Sequence, residues 1–125
     1  MILTLVITDK IVYPETMEEV DMTIQITTTA DNKKVLEDIA RSLLEERLIA
    51  CAQILGPIKS IYWWKGDIVE GEEFLCIMKT RLELFEKVKS KIKALHPYEV
   101  PEIVGTNLDA LSEDYKTWLQ NETKS

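Results

Sequence analysis

Histidine is almost missing from this chain: His96 is the only one. Ser60, Ser90, Ser112 and Thr106 have no neighbouring base in sequence, so no nucleophile–base–orienter set is evident. A non-enzymatic protein is expected. Cysteine is scarce too. Cys51 and Cys76 lie far apart inside apolar runs, without C-x-x-C spacing. They read as reduced, buried thiols of a cytosolic protein rather than as a disulfide or a metal site. The four glycines supply neither G-x-G-x-x-G nor a P-loop. No apolar run approaches the ~20 residues that span a bilayer. Met1 to Ile7 is short, with no basic residue before it and no small-residue cleavage site after it, so it is not read as a signal peptide. Basic residues are also outnumbered, 15 against 22 acidic, for a formal charge of −7. A phosphate-binding surface needs a basic patch, and nucleic acid is therefore not an expected partner.

What is present is globular in balance, 46% hydrophobic and 30% charged over 125 residues. That length suits one domain with one core. Residues 1–21 hold five acids (Asp9, Glu15, Glu18, Glu19, Asp21) and one base (Lys10), which is −4 of the −7 and leaves −3 for the rest.

Thr23 to Thr29 alternates and is rich in β-branched residues, predicting a strand. Ala30-Asp31-Asn32 offers capping side chains. Val35, Leu36, Ile39, Ala40, Leu43 and Leu44 then recur at helical spacing, predicting a helix from about Lys33 to Arg47. Ile49 to Leu55 reads as a second strand, broken or bent at Gly56-Pro57 and resumed from Ile58 to Lys65. Gly66 and Gly71 flank the expected turn region before a third strand, Glu73 to Arg81. Phe85, Val88, Ile92 and Leu95 mark a second helix ending before Pro97. Glu102 to Leu108 is a fourth strand, and Ser112 begins a capping pattern for a short last helix with Tyr115, Trp118 and Leu119. The order β-α-β-β-α-β predicts an α+β, ferredoxin-like antiparallel sheet with two helices on one face, plus a short C-terminal helix.

The strands predict more than topology. Phe74 to Met78 and Ile49 to Ala52 do not alternate, and Tyr62-Trp63-Trp64 places large rings on both faces. With two helices on one side and a short one to cover the other, self-association is the expected supplier of cover. The second and third strands look long enough to extend a neighbour's sheet.

Residues 1–21 fit this plan badly, because they add a strand-like apolar piece before the first strand. Glu18-Glu19-Val20 can be encoded GAG-GAG-GTN, a bacterial ribosome-binding sequence just ahead of the Met22 codon. The expected boundary is thus an N-terminal extension, 1–21, read as a misassigned start, and a domain from 22 to 125. A genuine extra strand on an open sheet edge is the alternative.

The chemistry-bearing stretch is His96-Pro97-Tyr98-Glu99-Val100-Pro101-Glu102. Two prolines fix their own φ and push His96 and Val100 toward extended geometry. His96 is the natural metal-ligand candidate, with Glu99 and Glu102 as oxygen donors; the competing reading has His96 cap a helix and bond locally. Lys79 lies in an apolar strand and needs a partner, for which Glu99 or Glu102 is expected. Tyr62, Trp63 and Trp64 read first as packing and interface anchors and second as a ligand platform. Lys87, Lys89, Lys91 and Lys93 fall outside the apolar stripe of the second helix and read as its solvated face.

Taken together, Arg47-Leu48-Ile49-Ala50-Cys51-Ala52, Tyr62-Trp63-Trp64-Lys65-Gly66, Lys79-Thr80, His96 to Glu102 and Tyr115-x-x-Trp118-Leu119 resemble the CutA family of divalent-cation tolerance proteins, over about Thr23 to Leu119. The resemblance implies a tight homotrimer of ferredoxin-like protomers, cytoplasmic and linked to tolerance of copper and other divalent metals; composition and hydropathy add that neither a membrane nor nucleic acid is an expected partner. It implies that Tyr62, Trp64, Lys79 and Tyr98 cluster with His96, Glu99 and Glu102 near a subunit boundary. Copper-binding members use a thiol near the end of the first strand and paired histidines before the proline. Here those places hold Thr27 and Leu95-His96, so the expected Cu²⁺ binding is weak or transient. The alternatives are a small-molecule sensor like the PII signalling trimers, with Lys79, Arg81 and His96 holding an anion, or an interaction scaffold.

Overall fold

The computed structural model describes residues 5–8, 11–14 and 22–124. Strands β1 (Leu5–Thr8) and β2 (Ile11–Pro14) pair with each other antiparallel. They lie within the 1–21 extension anticipated ahead of the main domain, and the rest of residues 1–21 lies outside the described residues. The domain then runs β3 (Thr23–Ala30), α1 (Lys33–Glu45), β4 (Cys51–Trp64), β5 (Asp67–Arg81), a single 3-10 turn at Leu82–Leu84, α2 (Phe85–Leu95), β6 (Val104–Leu108) and α3 (Glu113–Glu122). The sheet order is β4-β5-β3-β6 with every neighbour antiparallel. This is the anticipated α+β, ferredoxin-like arrangement.

Alternation along the strands sorts the core. Ile24, Ile26, Cys76 and Met78 point to one face, where they join Leu36, Ile39 and Leu43 of α1 and Val88 and Ile92 of α2. Each such side chain, fully buried, contributes roughly 1.5–3 kcal/mol. The opposite face carries Cys51, Gln53, Lys79 and Arg81. There α3 lies against it, with the Tyr115 hydroxyl 3.6 Å from Cys51 Sγ and Arg81 Nε donating to Thr123 Oγ1 at 2.9 Å. Ser112 caps α3 as expected, its Oγ accepting from the Tyr115 N–H.

Three boundaries differ from the expectation or sharpen it. Helix α1 stops at Glu45 because Arg47 takes a left-handed φ of 60°. Its N–H bonds Leu44 and the Leu48 N–H bonds Leu43, the paired closure that usually has glycine at that place. Second, of the two readings of Gly56-Pro57, a break or a bend, the break is absent, and no strand boundary falls there. Strand β4 continues through a bulge in which Gly56 and Pro57 oppose the single residue Phe74, between the pairs Leu55–Leu75 and Ile58–Glu73. Third, the turn is Lys65-Gly66 alone, at φ 50° and 88°, closing directly on the Trp64–Asp67 pair. Both residues have positive φ, as a tight two-residue hairpin requires. Gly71 sits inside β5 opposite Ser60, so β5 begins six residues earlier than Glu73. The long β4–β5 hairpin, bent at its bulge, is the feature that shapes the site.

Candidate functional site

The distal half of the β4–β5 arm and the His96–Glu102 loop form the two walls of an open cleft of about 690 Å³. Ser60 to Trp64 supply one wall, Tyr98 to Glu102 the other, and Thr29 and Glu73 the remainder of the lining. The loop leaves α2 at His96, whose backbone is extended (φ −79°, ψ 133°) while its N–H still closes on Ile92 at 2.8 Å. Pro97 cannot continue the helix.

A chain of three hydrogen bonds holds the loop against the sheet. His96 Nε2 lies 2.7 Å from the Thr29 carbonyl oxygen, and the Tyr98 N–H donates to His96 Nδ1 at 3.1 Å. Because a backbone N–H can only donate, Nδ1 is the acceptor, and the ring proton sits on Nε2 facing the carbonyl. The Tyr98 hydroxyl then donates to Glu73 Oε2 at 2.8 Å. Glu73 is only 7% exposed. A carboxylate at that depth needs such a donor. The Tyr98 hydroxyl is pushed well above the usual phenol range, by burial first and then by its bond to Glu73 and that group's charge. The His96 and Tyr98 rings also meet edge to face, 4.7 Å between centroids.

The structure brings Tyr62, Trp64, Tyr98, Glu99 and Glu102 together on one cleft. His96 stands behind it, buried, with both ring nitrogens engaged. Glu99 lies 3.9 Å from Lys65 Nζ, and Glu102 Oε2 is 3.5 Å from the Thr27 hydroxyl. Among the described residues no group of three His, Cys, Asp or Glu side chains is placed to share an ion. Lys79 is elsewhere on the sheet: it pairs with Cys51 and Gln25 across the strands, and its Nζ bonds Gln53 Oε1 at 3.1 Å. The acidic partner expected for it is thus replaced by an amide, available because Gln53 shares its face two residues along β4. Glu73 was not anticipated as a site residue. The available signal was a glutamate at the start of an apolar strand, but only the fold shows that it turns inward.

The donor set is chemically narrow. Cys76 lies in the core, where burial and then Cys51 push its thiol up to about 11. Cys51 faces Tyr115 on the far side of the sheet. The cleft is therefore lined by carboxylate and hydroxyl side chains beside aromatic walls, without the thiol that soft-metal coordination favours. No helix of the described residues is long and apolar enough to cross a membrane.

Comparison with known proteins places the chain in a family. The family model for the CutA1 divalent ion tolerance protein matches residues 24–122. The divalent-cation tolerance protein CutA of Pyrococcus horikoshii is 46% identical over 97 residues, covering 78% of this chain and 94% of that protein. The solved structure of the divalent cation tolerance protein Cut A1 from Thermus thermophilus superposes with a TM-score of 0.80 at 41% identity, over 82% of this chain and 100% of that one. That of the Archaeoglobus fulgidus CutA, described as periplasmic, gives a TM-score of 0.80 at 37% identity, over 82% and 100% of the two chains. With the match running from the first strand of the main sheet to the last helix, the chain belongs to the CutA1 divalent ion tolerance family.

Proposed function

We propose that this protein serves divalent-cation tolerance as a non-enzymatic homotrimer in the cytoplasm, taking up divalent ions weakly in the cleft between the β4–β5 arm and the His96–Glu102 loop. The observation that carries the reading is the acid-lined cleft, with Glu99 and Glu102 at its loop wall and Glu73 at its base. Glu99 and Glu102 are the ion's oxygen donors. His96 acts as a positioning residue through Tyr98, and would become a ligand only by giving up one of its two bonds. Copper enters as one such weakly held ion, since neither thiol reaches the cleft.

Assembly is supported by the arm itself. Trp63 is 71% exposed, Ile68 63% and Ile61 60%, all on one hairpin tip. Apolar groups of that size on one projecting element are what a second subunit covers. The cytoplasmic assignment rests on the free state of Cys51 and Cys76. The anion-sensor alternative finds less support, because Arg81 is paired with Glu83 and Thr123, Lys79 with Gln53, and the cleft is acidic.

Calorimetric titration of Cu²⁺, Zn²⁺ and a nucleotide into the wild type and Glu99→Gln/Glu102→Gln tests the reading. Weak metal heat that falls severalfold in the double variant is expected. Metal heat unchanged by it, or nucleotide heat alone, overturns the site.

A further inference from the structure

Lys65 is the first residue of the two-residue turn at the tip of the arm, held at φ 50°. Its ammonium lies 5.5 Å from the centroid of the Trp64 ring and 3.9 Å from Glu99 Oε2. One cation belonging to the chain itself thus already reaches across the mouth of the cleft to a carboxylate of the opposite wall, with an aromatic face beneath it. Within the single chain Lys65 and Glu99 are both largely exposed, 72% and 71%. A pair in that setting is weak and opens readily.

We propose that Lys65 is an internal rival for the divalent ion: it occupies Glu99 until the ion displaces it, and its release frees the tip of the arm from the loop. This rests on the cation reading of the cleft given above. The physical consequence is selection by charge. A tethered ammonium competes for the carboxylate with monovalent ions without excluding them. A divalent ion carries twice the charge to the same oxygens and displaces it more readily. Lys65 therefore sets the threshold at which an ion is taken up, and couples uptake to the contact between arm and loop.

The test is calorimetry with Zn²⁺ alone on the wild type, Lys65→Met and Lys65→Arg, at low and high sodium chloride. Lys65→Met is expected to bind Zn²⁺ about threefold more tightly at low salt, the order of one exposed ion pair. The gain is expected to shrink at high salt, where the ammonium is screened in the wild type as well. Lys65→Arg keeps the charge and is expected to bind like the wild type. Equal affinity in Lys65→Met overturns the inference and leaves the cation site standing. Tightening in both variants overturns it too, since that would reflect the turn rather than the charge. No Zn²⁺ uptake by any of the three proteins overturns the cation site, and the inference falls with it.

Discussion

The hydrogen-bond chain from Thr29 through His96 and Tyr98 to Glu73 is where single side chains matter most. Tyr98→Phe leaves the Glu73 carboxylate buried without its donor, and is expected to destabilise the fold by about 1–3 kcal/mol in urea unfolding. A change below a few tenths would mean that Glu73 is not held by Tyr98. Thr28 offers the opposite case. It is fully buried, and its Oγ1 has no hydrogen-bond partner among the described residues. Thr28→Val keeps the shape and removes the unpaired hydroxyl, so a gain of about 1 kcal/mol is expected. Cys76 supplies a pH dependence. Its thiol is raised from 9.0 to about 11 in the folded protein. The unfolded chain therefore loses that proton first. The stability contributed is complete below about pH 9 and is lost as pH rises toward about 11. Unfolding midpoints should fall over that window in the wild type and fall less in Cys76→Ala.

The β4–β5 hairpin shows how far local reasoning reaches. Alternation and β-branching in Thr23–Ala30, and the helical spacing of Leu36, Ile39 and Leu43, placed β3 and α1 within a residue or two, because both signals are local, although β3 is buried or half-buried along its whole length. The hairpin was harder. Gly71 and Gly66 both looked like turn residues, yet only Gly66 has a positive φ, and a Cβ at Gly71 would meet nothing within 4 Å. Gly56 is different. Its φ is 144°, and a Cβ there would lie 2.8 Å from Phe74 Cδ1 and 3.1 Å from the Glu73 carbonyl oxygen. Gly56→Ala is expected to cost about 1–3 kcal/mol, from backbone strain and overpacking together. Because the bulge aims the wall that carries Tyr62 and Trp64, ion binding should weaken as well. An alanine variant as stable as wild type would show that the bulge relaxes freely.

At the level of assembly, the exposed arm tip makes a prediction that light scattering checks. The protein should run at three times the chain mass. Trp63→Arg with Ile68→Arg should shift it toward the monomer, since charge on a covered apolar tip leaves an unpaired group in the interface. A wild type of single-chain mass would remove the case for assembly.

Element order, the two-helix face of the sheet and the stiffness of His96–Glu102 were all readable in the chain, because period, turn chemistry and proline geometry are local properties. The family resemblance grouped Tyr62, Trp64, Lys79, His96, Tyr98, Glu99 and Glu102, and of these the fold lines one cleft with all but Lys79 and His96. Other features belong only to the folded molecule: that Glu73 turns inward to meet Tyr98, that His96 spends both nitrogens on the fold, that Lys79 meets Gln53, and that Lys65 reaches Glu99. Each joins residues distant in sequence, and such distances are set by strand register and by a bulge that bends one hairpin toward a loop. No spacing along the chain encodes them.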